Sequence, residues 1–554
     1  MTLKFSFFHL SITIVALLGC FGLKGCTATG DEGKQVFAFN LTEGVSTLDP
    51  AFAKSQATIW TAHQLYNTLV ETDSNLNIVP SLAQRWEVSA DRLLYTFHLR
   101  RDVYFHDNEA FTGGKGRRLV AEDIVYSLSR IMDKATASSG AWIFNNRVDS
   151  FHAFTAINDS TFQLKLARPF HPILGILTMP YCSILPREVV ETFGKDFRSH
   201  PCGTDPFQFG FWEEGQALVL HKNPHYFERD ERGGQLPYLD AVKISFLDSR
   251  ATEFLAFRQG QLSFLNDIDP SFKDEVLTKA GELRKEWQQK IVLHKHAFLN
   301  TEYLGILVDN TNELTKNSAL GIKAVRQAIN HSINRPQLMM YMRNSIGIPA
   351  ESGFVPAGLP SKNVELVKGY RYDPARARRL LQEAGFKNGR ELPVVTLLTI
   401  PIYADIASFV ARQLEETGIK VQVEVVQKSL LLEETAKSKA LFFRGSWFAD
   451  YPDAENYMAV FYSKNPAPPN YTRYKNPDFD ALYEKSLVET NDSIRYRLYR
   501  QMDQLVIDDA PVVPLYYDEV IHLVNPNVRG FGSNGLNLLE LRRVQIAPGH
   551  DLAR

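Results

Sequence analysis

Residues 394–426 carry the punctuation that most narrows the folds open to this chain. A β-branched apolar run at 394–400 gives way to an amphipathic stretch at 406–416, which Gly418 ends, and then to strict alternation over 420–426. Strand, crossover helix and strand predict a parallel βαβ unit with a right-handed connection. A parallel pair has to be covered by helices, so the expected fold class is α/β. Similar punctuation recurs nearby. Asp373-Pro374 supplies a helix N-cap and first residue, Leu380, Leu381 and Ala384 share one inward face, and Gly385 closes the helix. A long helix is expected at 493–506, ahead of the apolar segment Ala510-Pro511-Val512-Val513-Pro514-Leu515-Tyr516-Tyr517.

The N-terminal half mixes strands and helices in the same way. Residues 36–41 alternate like a strand and lead to the turn Thr47-Leu48-Asp49-Pro50, with a helix expected at 61–69. Residues 86–88 and 95–100 read as a hairpin in which Tyr95, Phe97 and Leu99 share a face. Ala121, Ile124, Val125, Leu128 and Ile131 form one stripe of a helix at 121–132. Strands are expected at 162–166 and 241–247, and a helix at 251–259 stopped by Gly260. At 554 residues the chain exceeds what one hydrophobic core supports, so two or three subdomains are expected.

A net charge of −2 gives no nucleic-acid footprint, which would require clustered Lys and Arg. Lys4 precedes a mostly apolar run at 5–18 that fits the hydrophobic region of a secretory signal. Leu17-Leu18-Gly19-Cys20 and Leu23-Lys24-Gly25-Cys26 each resemble a bacterial lipoprotein box, so residues 1–26 are expected to be a signal peptide cleaved before Cys20 or Cys26. Residues 27–35 would be a flexible tether, and two or more acyl chains would hold the protein on a membrane. Cys182 and Cys202 remain, and in an exported protein they are expected to pair as a disulfide, the alternative being two buried thiols. There is no CxxC or HExxH, and His294-Lys295-His296 reads as a surface alternation on a strand rather than a metal site. No metal or cofactor is expected. The Gly113-Gly114-Lys115-Gly116 cluster continues into Arg117-Arg118, not into a phosphate-loop Lys-Ser or Lys-Thr. No G-x-S-x-G elbow occurs, and Glu433-Glu434 and Asp508-Asp509 are adjacent in helical stretches, pointing to different faces. Nothing marks an enzyme.

The densest chemistry lies in Arg444-Gly445-Ser446-Trp447-Phe448-Ala449-Asp450-Tyr451-Pro452-Asp453. Arg444 and Asp450 offer opposite charges, while Trp447, Phe448 and Tyr451 offer apolar surface. A closed pocket for a zwitterion needs that combination, because each buried charge must meet a hydrogen-bonded counter-charge. The same residues also suit a strand that ends in a turn, with Asp450 and Asp453 capping backbone amides.

Over residues 36–544 the chain resembles the bacterial family 5 extracellular solute-binding proteins, which serve dipeptide, oligopeptide and nickel ABC importers. The resemblance rests on Leu48-Asp49-Pro50, on Leu82-Ala83-Gln84-Arg85-Trp86-Glu87 with Tyr95-Thr96-Phe97-His98-Leu99-Arg100, and on Val103-Tyr104-Phe105-His106-Asp107. It continues through Ala121-Glu122-Asp123-Ile124-Val125-Tyr126-Ser127, Val325-Arg326-Gln327-Ala328-Ile329-Asn330, Tyr372-Asp373-Pro374 and Ala510-Pro511 in the family's order. The family's G-T-G-P-F reads Gly203-Thr204-Asp205-Pro206-Phe207, with Asp where glycine's freedom is expected, and residues 113–118 lengthen a loop. The resemblance implies a two-lobed, type II periplasmic-binding-protein-like fold with an extra third domain and a hinge between lobes. One lobe would combine 36–70, 205–298 and 522–554, the extra domain 71–204 would pack on it, and 299–521 would form the second lobe. In oligopeptide-binding members a W-x-A-D-Y segment supplies the Asp that pairs with the peptide ammonium. Here it reads Trp447-Phe448-Ala449-Asp450-Tyr451, and Arg444 would help to meet the carboxylate. Tyr516 and Tyr517 alternate on a strand, so at most one of them faces the cleft, and Tyr517 is placed with the site. The implied partners are a short peptide, the permease subunits of an ABC importer, and a bacterial membrane through the lipid anchor. The protein would be exported, periplasmic or at the cell surface, and monomeric. Alternatives within the fold are a nickel-chelate, haem or oligosaccharide solute, and outside transport a peptide sensor or chaperone.

Overall fold

Three β-sheets carry the architecture, as seen in a computed structural model that describes residues 34–386 and 392–547. The lipidation candidates Cys20 and Cys26 and most of the expected tether lie outside the described residues. A four-stranded sheet runs in the order Val36–Asn40, Ala241–Ser245, Ala217–Lys222, Phe207–Glu213. A second, antiparallel throughout, runs Ala83–Val88, Leu94–Leu99, Thr161–Lys165, Phe154–Asn158. A seven-stranded mixed sheet runs Phe264–Asn266, Val512–Val524, Val292–Ile306, Phe442–Phe448, Val395–Thr399, Val421–Val425, with Ile348–Pro349 added beside Val512–Val524.

The expected βαβ unit is present: Val395–Thr399 and Val421–Val425 pair in parallel around the helix Ala404–Glu416. Leu397 meets Ala407, Val410 and Leu414 in one buried cluster, which is why this strand could read as apolar and its helix as amphipathic. The Asp373 side chain accepts from the Arg376 amide at 2.8 Å, and Gly385 adopts φ +95°, closing the helix in the left-handed region that glycine alone enters without cost. Tyr95, Phe97 and Leu99 are buried as the hairpin alternation predicts.

Three expectations need correction. The helix expected at 61–69 is Gln56–Leu65, because the Ser55 hydroxyl caps it by accepting from the Thr58 amide at 3.3 Å and Tyr66 is already extended. Cys182 and Cys202 are not bridged. Each is a buried thiol, Cys182 Sγ donating to the Ile176 carbonyl and Cys202 Sγ to that of His106, both at 3.4 Å. Asp205 needs no glycine-like backbone. Its buried carboxylate accepts from Asn67 Nδ2 at 2.7 Å, so the side chain fills the position instead.

The C-terminal segment is tied to the first half of the chain by one buried cation. Arg542 bonds Glu71 at 2.8 Å, Glu228 at 2.7 Å and Glu540 at 3.0 Å, and its side chain is 12% exposed. Removing one partner of a buried ionic cluster strands the others. Arg542→Ala is expected to cost about 3–5 kcal/mol in denaturant unfolding, while a surface change such as Lys134→Ala stays within about 0.5 kcal/mol. In a chain beginning at Thr27, a thiol reagent should find neither cysteine in the native state and both after denaturation. Burial raises both thiols above their ordinary range, which disfavours the reactive thiolate, and a reductant should leave Tm unchanged because the two cysteines form no disulfide to cut.

Candidate functional site

Strand register decides which residues of 444–453 can act together. Phe442–Phe448 pairs with Val292–Ile306 so that Leu304 faces Arg444, Glu302 faces Ser446, Thr301 faces Trp447 and Asn300 faces Phe448. Across the other edge, Glu302 faces Tyr516 and Thr301 faces Tyr517. Directly opposed residues share a face and successive ones alternate. Arg444, Ser446 and Phe448 therefore stand with Glu302 and Tyr516 on one face, while Trp447 and Tyr517 stand on the other. Ser446 and Phe448 are exposed, so the first face opens to solvent at this end.

On the opposite face the side chains are occupied within the fold. Tyr517 is buried, its hydroxyl donating to the Gly353 carbonyl at 2.7 Å and lying 3.0 Å from Lys362 Nζ. Trp447 is partly buried and donates through Nε1 to Asn456 Oδ1 at 2.9 Å. Beyond the strand, Tyr451 is buried against the cluster that includes Ile173 and Ile176, and its hydroxyl donates to the buried carboxylate of Glu455.

Asp450 follows the strand end. Its amide donates to Asn456 Oδ1 at 3.3 Å, and Asn456 Nδ2 returns a bond to its Oδ2 at 3.1 Å. Asn456 is, among the described residues, the one side-chain donor to this carboxylate. One amide therefore fixes both the indole of Trp447 and the carboxylate of Asp450. Burial pushes the Asp450 carboxyl above its ordinary value, only partly opposed by the Asn456 bond and by Arg147. Its negative charge is thus desolvated and weakly compensated, a state that an incoming cation relieves.

Arg444 is in a different condition. Its Nε and Nη2 hold both oxygens of Glu302, the latter contact at 2.7 Å, and its guanidinium lies 3.7 Å from the Tyr403 ring centroid. Glu302 is 1% exposed. Next to this pair, Arg343 bonds Asp518 and stacks at 4.8 Å on Tyr516, whose hydroxyl is buried with no partner among the described residues. Burial works against Arg444's charge and Glu302 more than offsets it. Glu302 recovers less, and burial pushes its carboxyl up to about 7.

The residues that sequence reasoning missed are Asn456, Glu302, Arg343, Asp518 and Tyr403. Asn456, within six residues of Asp450, could have been found as a turn residue. The others come from segments far away in the chain and had no local signal. Of the histidines, His294 and His296 are half-buried rather than surface groups. Their rings lie 6.1 Å apart, and His296 lies 5.2 Å from the buried His522. Burial lowers all three, His522 to about 3, so they are neutral at pH 7. Among the described residues no group of three or more His, Cys, Asp or Glu is arranged to hold a metal ion. A groove of about 1450 Å³ lies elsewhere, between residues 46–54, 117–136 and 187–198. Its central cations are already taken, Arg130 by Asp49 and Arg117 by Asp123 and Glu188.

Comparison with known proteins identifies the family and the fold. Residues 77–469 match the family described as bacterial extracellular solute-binding proteins, family 5, middle region. The chain is 27% identical over 491 residues to heme-binding protein A of Haemophilus influenzae, covering 85% of this chain and 84% of that protein. It is 24% identical to the dipeptide-binding protein of Escherichia coli, covering 87% and 89%. Among solved structures it is similar to the periplasmic binding protein DppA from Helicobacter pylori in complex with the peptide STSA. That match has 26% identity, a TM-score of 0.72 and coverage of 93% and 98%. The fold is that of the type II periplasmic binding proteins, and the related proteins bind solutes rather than transform them. With 393 consecutive residues inside the family match, the chain belongs to the bacterial extracellular solute-binding proteins of family 5.

Proposed function

We propose that this protein is the substrate-binding component of an ABC importer. It captures short peptides between two lobes, takes the α-ammonium on Asp450, and delivers the peptide to the membrane permease. The observation that carries the reading is the state of Asp450: a carboxylate desolvated at the end of an open strand face, oriented by Asn456 and, among the described residues, compensated by no direct ion pair. An ammonium forms a charge-assisted bond there without paying again for desolvation of the acid. Phe448, 44% exposed, supplies apolar surface on the solvent-facing side, and Trp447 backs the site by fixing Asn456. The peptide bound by the related DppA of Helicobacter pylori supports the solute class.

The lobe boundaries follow the same proposal. Val292–Ile306 and Val512–Val524 are long strands whose mutual register shifts between Ala297 and Thr301. Residues 36–70 with 205–298 and 522–547 would form one lobe, 71–204 an added domain and 299–521 the other lobe, with the hinge at that shift. Lobes joined by two strands close by small dihedral changes at such a point. Lipidation at Cys26 or Cys20 would anchor the exported, monomeric protein to a bacterial membrane. Among the described residues no helix is long and apolar enough to cross a membrane.

A thermal-shift screen of a chain beginning at Thr27 tests the solute. Free di- to pentapeptides at a hundredfold over Kd should stabilise it by about 2.7 kcal/mol, and N-acetylated peptides should not. Asp450→Asn should weaken peptide binding by about 1.5–3 kcal/mol, roughly ten- to a hundredfold. Stabilisation by haem, a nickel chelate or oligosaccharides alone would keep the family and overturn the peptide reading.

The same substitution separates binding from stability. A carboxyl raised in the folded state contributes its full stability below its ordinary value of 3.8 and loses it as pH rises towards the folded value. Ligand-free Asp450→Asn is therefore expected to melt above the parent at pH 7. The two curves should converge near pH 4. A lower Tm at pH 7 would mean that Asp450 stabilises the empty protein.

A further inference from the structure

We infer that Glu302 is a resident carboxylate that occupies Arg444 until solute arrives, and that a solute carrying a free carboxylate takes its place on Arg444 while Glu302 takes up a proton. The inference rests on the proposed peptide reading and names what reads the far end of the solute. Arg444 gives Nε and Nη2 to the two oxygens of Glu302, the fork geometry that an α-carboxylate would itself use. The Tyr403 ring, 3.7 Å away, fixes the plane of the guanidinium. Ser446 and Phe448, exposed on the same face, leave it open on that side.

The charged groups facing Glu302 come from every element packed on it. Arg444 stands on Phe442–Phe448, Tyr516 and Asp518 on Val512–Val524, Arg343 at the end of the helix Arg335–Arg343, and Tyr403 after Val395–Thr399. Arg343 holds Asp518, so with Glu302 ionised the empty row contains two cations and two anions and is neutral. A third carboxylate is tolerated only if one negative charge leaves. Glu302 is the one that yields, because burial, opposed by Arg444 and reinforced by Asp518, pushes its carboxyl up to about 7. The proton comes from solvent, and no covalent bond changes.

A second observation points to a missing acceptor at the same place. The Tyr516 hydroxyl is buried and has no hydrogen-bond partner among the described residues, although it lies among Glu302, Arg343, Asp518 and Tyr403. A buried hydroxyl without a partner is uncommon in a folded protein, and a solute carboxylate on Arg444 would give this one an acceptor.

Calorimetric titration of the chain from Thr27 with Ala-Ala-Ala and its C-terminal amide, each in two buffers of different ionisation enthalpy, tests the inference. With Glu302 near 7 when empty, about three-quarters of it is ionised at pH 7.5. The free peptide should therefore take up about 0.75 proton more than the amide. Its affinity should rise roughly fourfold more than the amide's between pH 7.5 and 5.5. The amide controls for protonation of the peptide amine and of Asp450. Glu302→Gln should abolish both differences. Equal proton uptake and equal pH dependence for peptide and amide in the unmodified protein overturn the inference, whether or not the variant folds. If N-acetylation still prevents binding in that case, the peptide reading stands without it. If neither peptide binds, both readings fall.

Discussion

The strand Val292–Ile306 is paired on both edges, with Phe442–Phe448 on one side and Val512–Val524 on the other. Everything at the site depends on those two registers. Side chains alternate with a period of two, so a slip by one residue on either edge would exchange the faces completely. Glu302 would then lose Arg444, and Trp447 would leave Asn456. Register here is pinned by burial on both sides. Leu304, Ile306, Phe442 and Tyr516 fill the cluster beneath one face, and Tyr303, Phe354, Tyr457 and Met458 fill the cluster beneath the other. Packing, not the polar contacts, places the charges where they are, and the polar contacts then follow at short range.

Two carboxylates at this site meet burial in opposite ways. Glu302 is satisfied by a bidentate arginine and surrounded by a balanced set of charges. Asp450 receives a single amide and feels Arg147 only at a distance. Burial raises both carboxyls, yet the consequences differ. A desolvated acid with one neutral donor gains strongly from a new cation, whereas an acid already held by a cation gains only by giving that cation up. The proposed receptor thus has one end that waits for charge and one end that exchanges it.

Much of the fold was legible in the chain. The βαβ unit at 394–426, the Asp373 cap, the 95–100 face and the 121–132 stripe are local statements, and local periodicity reports them well. Asp450 and Arg444 could be proposed from the sequence because their segment matches a family pattern. Glu302 could not, because its pairing with Arg444 joins residues 142 apart and exists only through strand register. Residue type alone also failed to separate Trp447 from Phe448 or Tyr516 from Tyr517: adjacent aromatics look equivalent in sequence and stand on opposite faces in the sheet. The cysteine pair shows the converse error. An exporting signal made a bridge chemically plausible, but bridging needs two Cβ atoms within about 4.5 Å. Cys182 and Cys202 instead sit on different hydrogen-bond acceptors, Ile176 and His106.

A binding protein that delivers its solute faces a constraint that an enzyme inhibitor does not, since capture has to be reversible on the time scale of transport. Preorganised charges that are empty in the free state give affinity, and most differences in affinity appear as slower release. A site with two unpaired, desolvated ends would hold a zwitterion tightly and also destabilise the empty protein at both ends. Placing Glu302 on Arg444 removes half of that burden. The empty state keeps a paired, bidentate cation, and under the inference drawn above the solute's carboxylate would compete with an internal one. In the proposed reading, the net gain at that end is the difference between two similar bonds, while Asp450 retains the full gain of a new ion pair. Discrimination then concentrates at the ammonium, and the far end sets how readily the solute leaves.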